Sequence, residues 1–227
     1  MLPDAIIIGD SHSNALQAGC AAHGLRVEML RLSGNFWHGG NVFFHRRHGV
    51  WVKGLAAVQA QILALRERLG GRSLINPEVP VIAAMGYHLG RLVPPFGIHG
   101  HLTNAAGFAA DPDSAYASQA MVDATVDHYR GSHIRMARQM ARHGNMVLVT
   151  PPRLFPGTSY DQFASAISAR MTAAGVRVLD PSAELFGPDR GLPAAMAAAD
   201  GVHGNEAYGG AVVKLLLDQA SIRIRAA

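Results

Sequence analysis

Cysteine is almost missing from this chain: Cys20 is the only one in 227 residues, so no intrachain disulfide can form and a four-cysteine metal site is excluded. The fold must rest on its core, and 49% hydrophobic residues suffice for one well-filled domain over residues 1–227. Charge of one sign is scarce as well. Twenty Lys and Arg against 16 Asp and Glu leave a formal excess of +4 with no long basic run. Without an RNA-binding aromatic signature or a recognition-helix pattern, so mild a bias argues against a nucleic-acid partner. No stretch approaches the roughly 20 uninterrupted apolar residues of a membrane helix, so no membrane partner is expected. Met1-Leu2-Pro3-Asp4 passes directly into Ala5-Ile6-Ile7-Ile8 with no charged leader and long apolar segment, and a cytoplasmic protein is the expectation.

Other absences narrow the chemistry. Gly9-Asp10-Ser11-His12-Ser13-Asn14 holds only the first glycine of a Gly-x-Gly-x-x-Gly dinucleotide fingerprint, and Walker A is absent. The Gly-x-Ser-x-Gly elbow of ordinary α/β-hydrolases does not occur either. His45-x-x-His48 and His99-x-His101 have spacings that suit zinc, but neither pair has a third ligand in sequence. No metal and no cofactor is expected. Nothing in the sequence reports an oligomeric state.

What is present is a rhythm. Five short apolar runs bounded by Gly, Pro, Asn or Asp read as buried parallel strands: Ala5–Ile8, Arg26–Leu30, Val79–Met85, Met146–Thr150 and Val176–Leu179. Helical patterns lie between and after them, over Ser13–Ala22, Gly54–Leu69, Ser114–Arg142, Tyr160–Ala173 and Glu206–Ala220. Right-handed crossovers place helices on both faces of a parallel sheet, which predicts a flavodoxin-like three-layer α/β/α sandwich with five parallel strands. Two long loops, Ser33–Lys53 and Leu89–Asp113, follow strands and are the expected walls of a ligand crevice.

The first strand ends in Gly9-Asp10-Ser11-His12-Ser13 and enters a helix at once. A serine there sits beside free backbone N–H groups and the positive end of the helix dipole, where an oxyanion is stabilised. The competing reading is a helix cap, for which Asp and Ser are the preferred residues. Before the last helix stands Asp200-Gly201-Val202-His203-Gly204-Asn205. A serine hydroxyl needs a base, and the imidazole that serves needs a carboxylate to fix its tautomer; Asp and His three residues apart supply both from one turn.

Gly-Asp-Ser after the first strand and Asp-x-x-His before the last helix together resemble the SGNH (GDSL-like) hydrolase family, across nearly the whole chain. The resemblance implies Ser11 as nucleophile, His203 as base and Asp200 as its orienting acid. In that family the oxyanion hole is formed by the nucleophile's own N–H, a glycine after the second strand and an asparagine after the third. Ser11 supplies the first donor and Gly34 in Leu32-Ser33-Gly34-Asn35 matches the second, but Gly86-Tyr87-His88-Leu89 carries His88 where the asparagine belongs. His88 is the substitute donor, and Asn35 is a second one. Loss of one such donor costs about 10² to 10³ in rate. The resemblance implies a small-molecule ester substrate and an acyl-enzyme. The rim residues Asn35, Trp37, His38 and Arg153 favour a short acyl group on a polar scaffold, such as an O-acetylated carbohydrate. Acyl transfer to a sugar hydroxyl and ligand binding by a weakened SGNH fold are the alternatives.

Overall fold

The computed structural model describes residues 1–92, 118–188 and 190–219, together with the backbone of 101–102 and 115–116. In chain order its elements are β1 (Ala5–Gly9), α1 (Ser13–Ala22), β2 (Val27–Arg31), α2 (Gly34–His38), β3 (Val42–His45), β4 (Gly49–Val52), α3 (Ala56–Arg68), β5 (Val81–Ala84) and α4 (Leu89–Leu92). They continue with β6 (His101–Leu102), β7 (Ala115–Tyr116), α5 (Gln119–His143), β8 (Met146–Val149), α6 (Ser159–Ala173), β9 (Arg177–Leu179), α7 (Pro181–Phe186) and α8 (Glu206–Asp218).

β1 is buried along its whole length because it lies inside the sheet with both faces covered. Its alternating side chains feed two cores. Ile6 and Ile8 pack with Trp37, Ile62, Val126 and Phe163, whereas Ile7 packs with Leu16, Cys20, Val212 and Leu216. Each such burial stabilises by about 1.5–3 kcal/mol. α3, α5 and α6 therefore cover one face of the sheet and α1 and α8 the other, giving three layers.

The five-stranded sheet has the order β2-β1-β5-β8-β9, all parallel, with Gly9 paired to Arg31 on one side and Ala84 on the other. After β2 the chain returns to the opposite side of β1. The crevice outside the carboxyl ends of β1 and β5 is thus a topological switch point, where α/β sheets bind ligands.

The five expected strands are all present within one or two residues. The segment expected as a loop over Ser33–Lys53 is instead α2 followed by the antiparallel hairpin β3–β4, with Val42 opposite Val52 and Phe44 opposite Val50. Its valines and aromatics alternate, and Gly49 turns the strand back with φ +86°. The helix expected from Ser114 begins at Gln119, where the Ser118 hydroxyl accepts from the Met121 N–H as an N-cap. Most of Leu89–Asp113 lies outside the described residues. Among the described residues no helix is long and apolar enough to cross a membrane.

Candidate active site

The turn after β1 is built by close approach. A Cβ on Gly9 would stand 2.2 Å from the Ala84 carbonyl oxygen, so only glycine lets β1 end there against β5. Asp10 then takes the capping work: its Oδ1 accepts from the His12 N–H at 2.9 Å, and its carbonyl accepts from the Ser13 N–H at 3.1 Å. Ser11 is left exposed with its hydroxyl uncommitted to the helix.

That hydroxyl lies 2.7 Å from His203 Nε2, across 192 residues of sequence. His203 Nδ1 lies 2.6 Å from Asp200 Oδ2, while Asp200 Oδ1 accepts from the backbone N–H groups of Val202 (2.9 Å) and His203 (3.0 Å). The His203 and Val202 N–H groups, then the imidazole itself, hold the Asp200 carboxyl well below the usual carboxylate range. Because Asp200 is ionised and accepts only, the neutral imidazole keeps its proton on Nδ1 and turns a lone pair towards Ser11 Oγ. The loop that carries this dyad is pinned. Ala198 N–H donates to the His203 carbonyl at 2.8 Å, Asn205 N–H donates to the Met196 carbonyl at 2.9 Å, and the Asn205 side chain caps α8 at the Tyr208 N–H. The Asn205 amide also donates to the Ala195 and Ala197 carbonyls. His12 faces the dyad with ring centroids 4.6 Å apart, and burial, only partly opposed by Asp10, lowers its pKa, favouring a neutral ring beside His203.

Two of the three expected oxyanion donors are open. Among the described residues the backbone N–H groups of Ser11 and Gly34 meet no acceptor. His88 lies beside Gly34, its Nδ1 3.5 Å from where a Gly34 Cβ would stand. Its Nδ1 faces Asp10 Oδ2 at 3.1 Å, and its Nε2 is buried without a partner. In this conformation the imidazole braces Asp10 and, through it, the turn that carries Ser11. Burial pushes the Asp10 carboxyl up, but the hydrogen bond from His88 and the nearness of His12 outweigh it and leave the pKa lowered.

Sequence reasoning passed over the group that sets His88. Arg130 is fully buried on α5 and donates to the carbonyls of Tyr87 (2.9 Å), His88 (3.2 Å) and Tyr129 (3.1 Å). No ion pair of Arg130 is present among the described residues, and burial lowers its pKa to about 10. It clamps a turn in which His88 itself has φ +41°, a conformation uncommon for a non-glycine residue. The signal was legible: Val122, Val126, Arg130, His133 and Ala137 form one buried stripe, and an arginine in such a stripe needs buried partners.

The expected rim residues divide. Asn35 is exposed and His38 half-buried, with His38 Nδ1 3.4 Å from Arg130 Nη1 and its ring stacked near Tyr129. Trp37 is fully buried, and its carbonyl bonds His133 Nε2, so it is core and not a surface for a sugar ring. Arg153 is not free for an anion. Its Nε bonds Asp161 and its Nη2 bonds Asp180, both at 2.9 Å, and Nη1 donates to the Pro188 carbonyl. His45 stacks on His48 and His48 on Trp51, and among the described residues no three His, Cys, Asp or Glu side chains gather as a metal site. His99 lies outside the described residues.

No protein-family model matches the chain, and no curated protein matches it. Solved structures similar to it include an acetylxylan esterase from Geobacillus stearothermophilus, at 13% identity, 98% of this chain, 96% of that chain and a TM-score of 0.47. A lipase/acylhydrolase from Enterococcus faecalis shares 13% identity over 98% of this chain and 99% of its own, with a TM-score of 0.42. An α/β hydrolase from the metagenome of Lake Arreo, Spain, shares 15% identity over 96% and 95%, with a TM-score of 0.45. Likeness at this level carries no activity over to this chain.

Proposed function

We propose that the chain is a serine esterase of the SGNH type that works through an acyl-enzyme on a small ester. The observation that carries the reading is the Ser11–His203–Asp200 relay, with hydrogen-bond distances of 2.7 and 2.6 Å. His203 Nε2 takes the Ser11 proton as Oγ attacks the ester carbonyl, whose electron pair moves onto oxygen. Asp200 holds the imidazolium that forms. The tetrahedral oxygen is held by the N–H groups of Ser11 and Gly34, beside the N-terminal turns of α1 and α2. Collapse re-forms the carbonyl and expels the alkoxide, which takes the proton from His203. Water repeats the sequence on the acyl-enzyme.

Labelling with a serine-directed phosphonate tests this reading. It forms a covalent adduct on Ser11, seen by mass spectrometry, and none in Ser11→Ala or His203→Ala; an unlabelled wild-type protein overturns it. The state of His88 favours a second reading, a ligand-binding protein of the same fold, because an oxyanion hole short of one donor is slower by about 10² to 10³.

A further inference from the structure

The hairpin β3–β4 has two unlike faces, because side chains alternate along each strand and paired residues share a face. Val42, Val50 and Val52 turn inward and are buried in the core, with Phe44 packed against it. Phe43 and Trp51, paired with each other, turn outward; Trp51 is half-buried and Phe43 is 40% exposed. At the tip His48 stacks on both His45 and Trp51, with ring centroids 4.5 and 4.4 Å apart. Nothing in the relay at Ser11 uses this aromatic surface.

Its surroundings carry charge of one sign. Arg46 and Arg47 stand exposed at the tip, and Lys53 is exposed just past the end of β4. On the other side of β3, Phe44 lies against His143 of α5 with ring centroids 4.9 Å apart, and Phe43, Phe44 and Arg135 line one shallow groove. Arg138 and Arg142 follow Arg135 at helical spacings of three and seven, and all three are exposed. No Asp or Glu occurs between Glu28 and Glu67 or between Asp127 and Asp161. Among the described residues none of these six cations has an ion pair. Six cations exceed the formal excess of +4 for the whole chain, so the rest of the molecule is net acidic and the positive charge gathers on one side of the sheet.

A partner that matches this face is anionic and offers Phe43 an apolar phase. An anionic bilayer supplies both, since its headgroups attract arginine and the boundary with the acyl chains accepts an aromatic side chain. A nucleic acid supplies only the first, because bases stack on open ring faces and here His48 lies against both His45 and Trp51. A second copy of the chain would bring like charges together. We propose that the outward face of β3–β4, together with the arginine stripe of α5, docks on an anionic lipid surface with Phe43 at the acyl boundary. Such peripheral contact needs no spanning helix. The hairpin tip and His143 lie towards the amino ends of the strands, where β8 begins at Met146 beside Val81. Ser11, at the carboxyl end of β1, is held away from the lipid, and the docking does not depend on what Ser11 does.

Co-sedimentation with sucrose-loaded vesicles tests the proposal, with phosphatidylcholine alone and phosphatidylcholine mixed with phosphatidylserine as probes. The full chain sediments with the mixed vesicles at low salt, stays in solution with phosphatidylcholine alone, and is released at about 1 M salt, where the Debye length is about 3 Å. Arg46→Glu, Arg138→Glu and Phe43→Ser each weaken binding about ten-fold or more. Lys214→Glu makes the same change of charge as either arginine variant on α8, across the sheet, and leaves binding unchanged. All four positions are exposed, so the variants keep the wild-type Tm and far-UV ellipticity. No sedimentation with the mixed vesicles, equal sedimentation with both kinds, a loss in Lys214→Glu equal to that in Arg46→Glu, or undiminished binding of Phe43→Ser each overturns the proposal. Tighter binding of a single-stranded oligonucleotide than of the mixed vesicles also overturns it and assigns the face to nucleic acid.

Discussion

Asp200 is exposed, so its hold on His203 comes from geometry and not from a low-dielectric pocket. Three N–H groups converge on its two oxygens, and replacing one oxygen by an amide turns an acceptor into a donor facing His203 Nδ1. Asp200→Asn is therefore expected to strand the imidazole in the wrong tautomer and lower kcat on a chromogenic acetate ester by about 10³–10⁴ while leaving Tm within a few degrees. His133 is the opposite case. It is buried, and burial, partly opposed by the Trp37 carbonyl, pulls its pKa down to about 4. Below the ordinary histidine value the unfolded chain binds a proton that the folded chain refuses, so His133 contributes stability that is present above pH 6.5 and lost as pH falls towards 4. A shift of that size corresponds to about 3 kcal/mol. Urea unfolding of His133→Gln at pH 7 and pH 4 should show an acid loss smaller than wild type by roughly that amount; an unchanged loss would remove His133 from the account.

At the scale of elements, the contact between Ser11 and His203 depends on how two helices meet. Ser11 precedes α1 and His203 precedes α8, and the two helices touch through glycines. A Cβ on Gly19 would stand 2.2 Å from the Gly209 carbonyl oxygen, and one on Gly209 only 1.8 Å from the Ala15 carbonyl oxygen. Backbone meets backbone there with no side chain to yield. Gly209→Ala is expected to push the helices apart, costing about 1–3 kcal/mol in stability and lowering kcat as the Ser11–His203 distance grows. Gly210→Ala meets nothing within 4 Å and is expected to gain about 0.5–1 kcal/mol from helix propensity. Chemical denaturation and esterase assays of the two variants give the comparison, and equal stability in both would refute a packing origin. The helices themselves were readable in the sequence because their apolar periodicity is local. The contact was not, since Gly19 and Gly209 are 190 positions apart and small residues leave no periodic mark.

For the molecule as a whole, Cys20 offers a reporter. It is the only cysteine, is fully buried between α1 and α8, and burial pushes its thiol up to about 11. Its two barriers, access and proton affinity, fall together when the α1/α8 face opens. Labelling by a thiol-reactive disulfide is expected only on global unfolding, with a denaturant midpoint that coincides with loss of far-UV ellipticity. Labelling well before that midpoint would show that this face opens by itself.

The sequence by itself determined the five-stranded rhythm, because a strand buried on both faces must be apolar throughout. It also placed Ser11, Asp200 and His203 at strand and helix ends, because each stands in a short motif whose chemistry follows from neighbouring residues. Tertiary structure alone decided the rest. Whether Ser11 meets His203 depends on two helices packed glycine to glycine. Whether His88 donates to an oxyanion depends on Asp10, which takes its Nδ1, and on Arg130, which holds its turn. Arg153 reads as a free cation until Asp161 and Asp180 are seen to close on it. A side chain's type is local, but its free donors are what remains after every neighbour in space has taken its share.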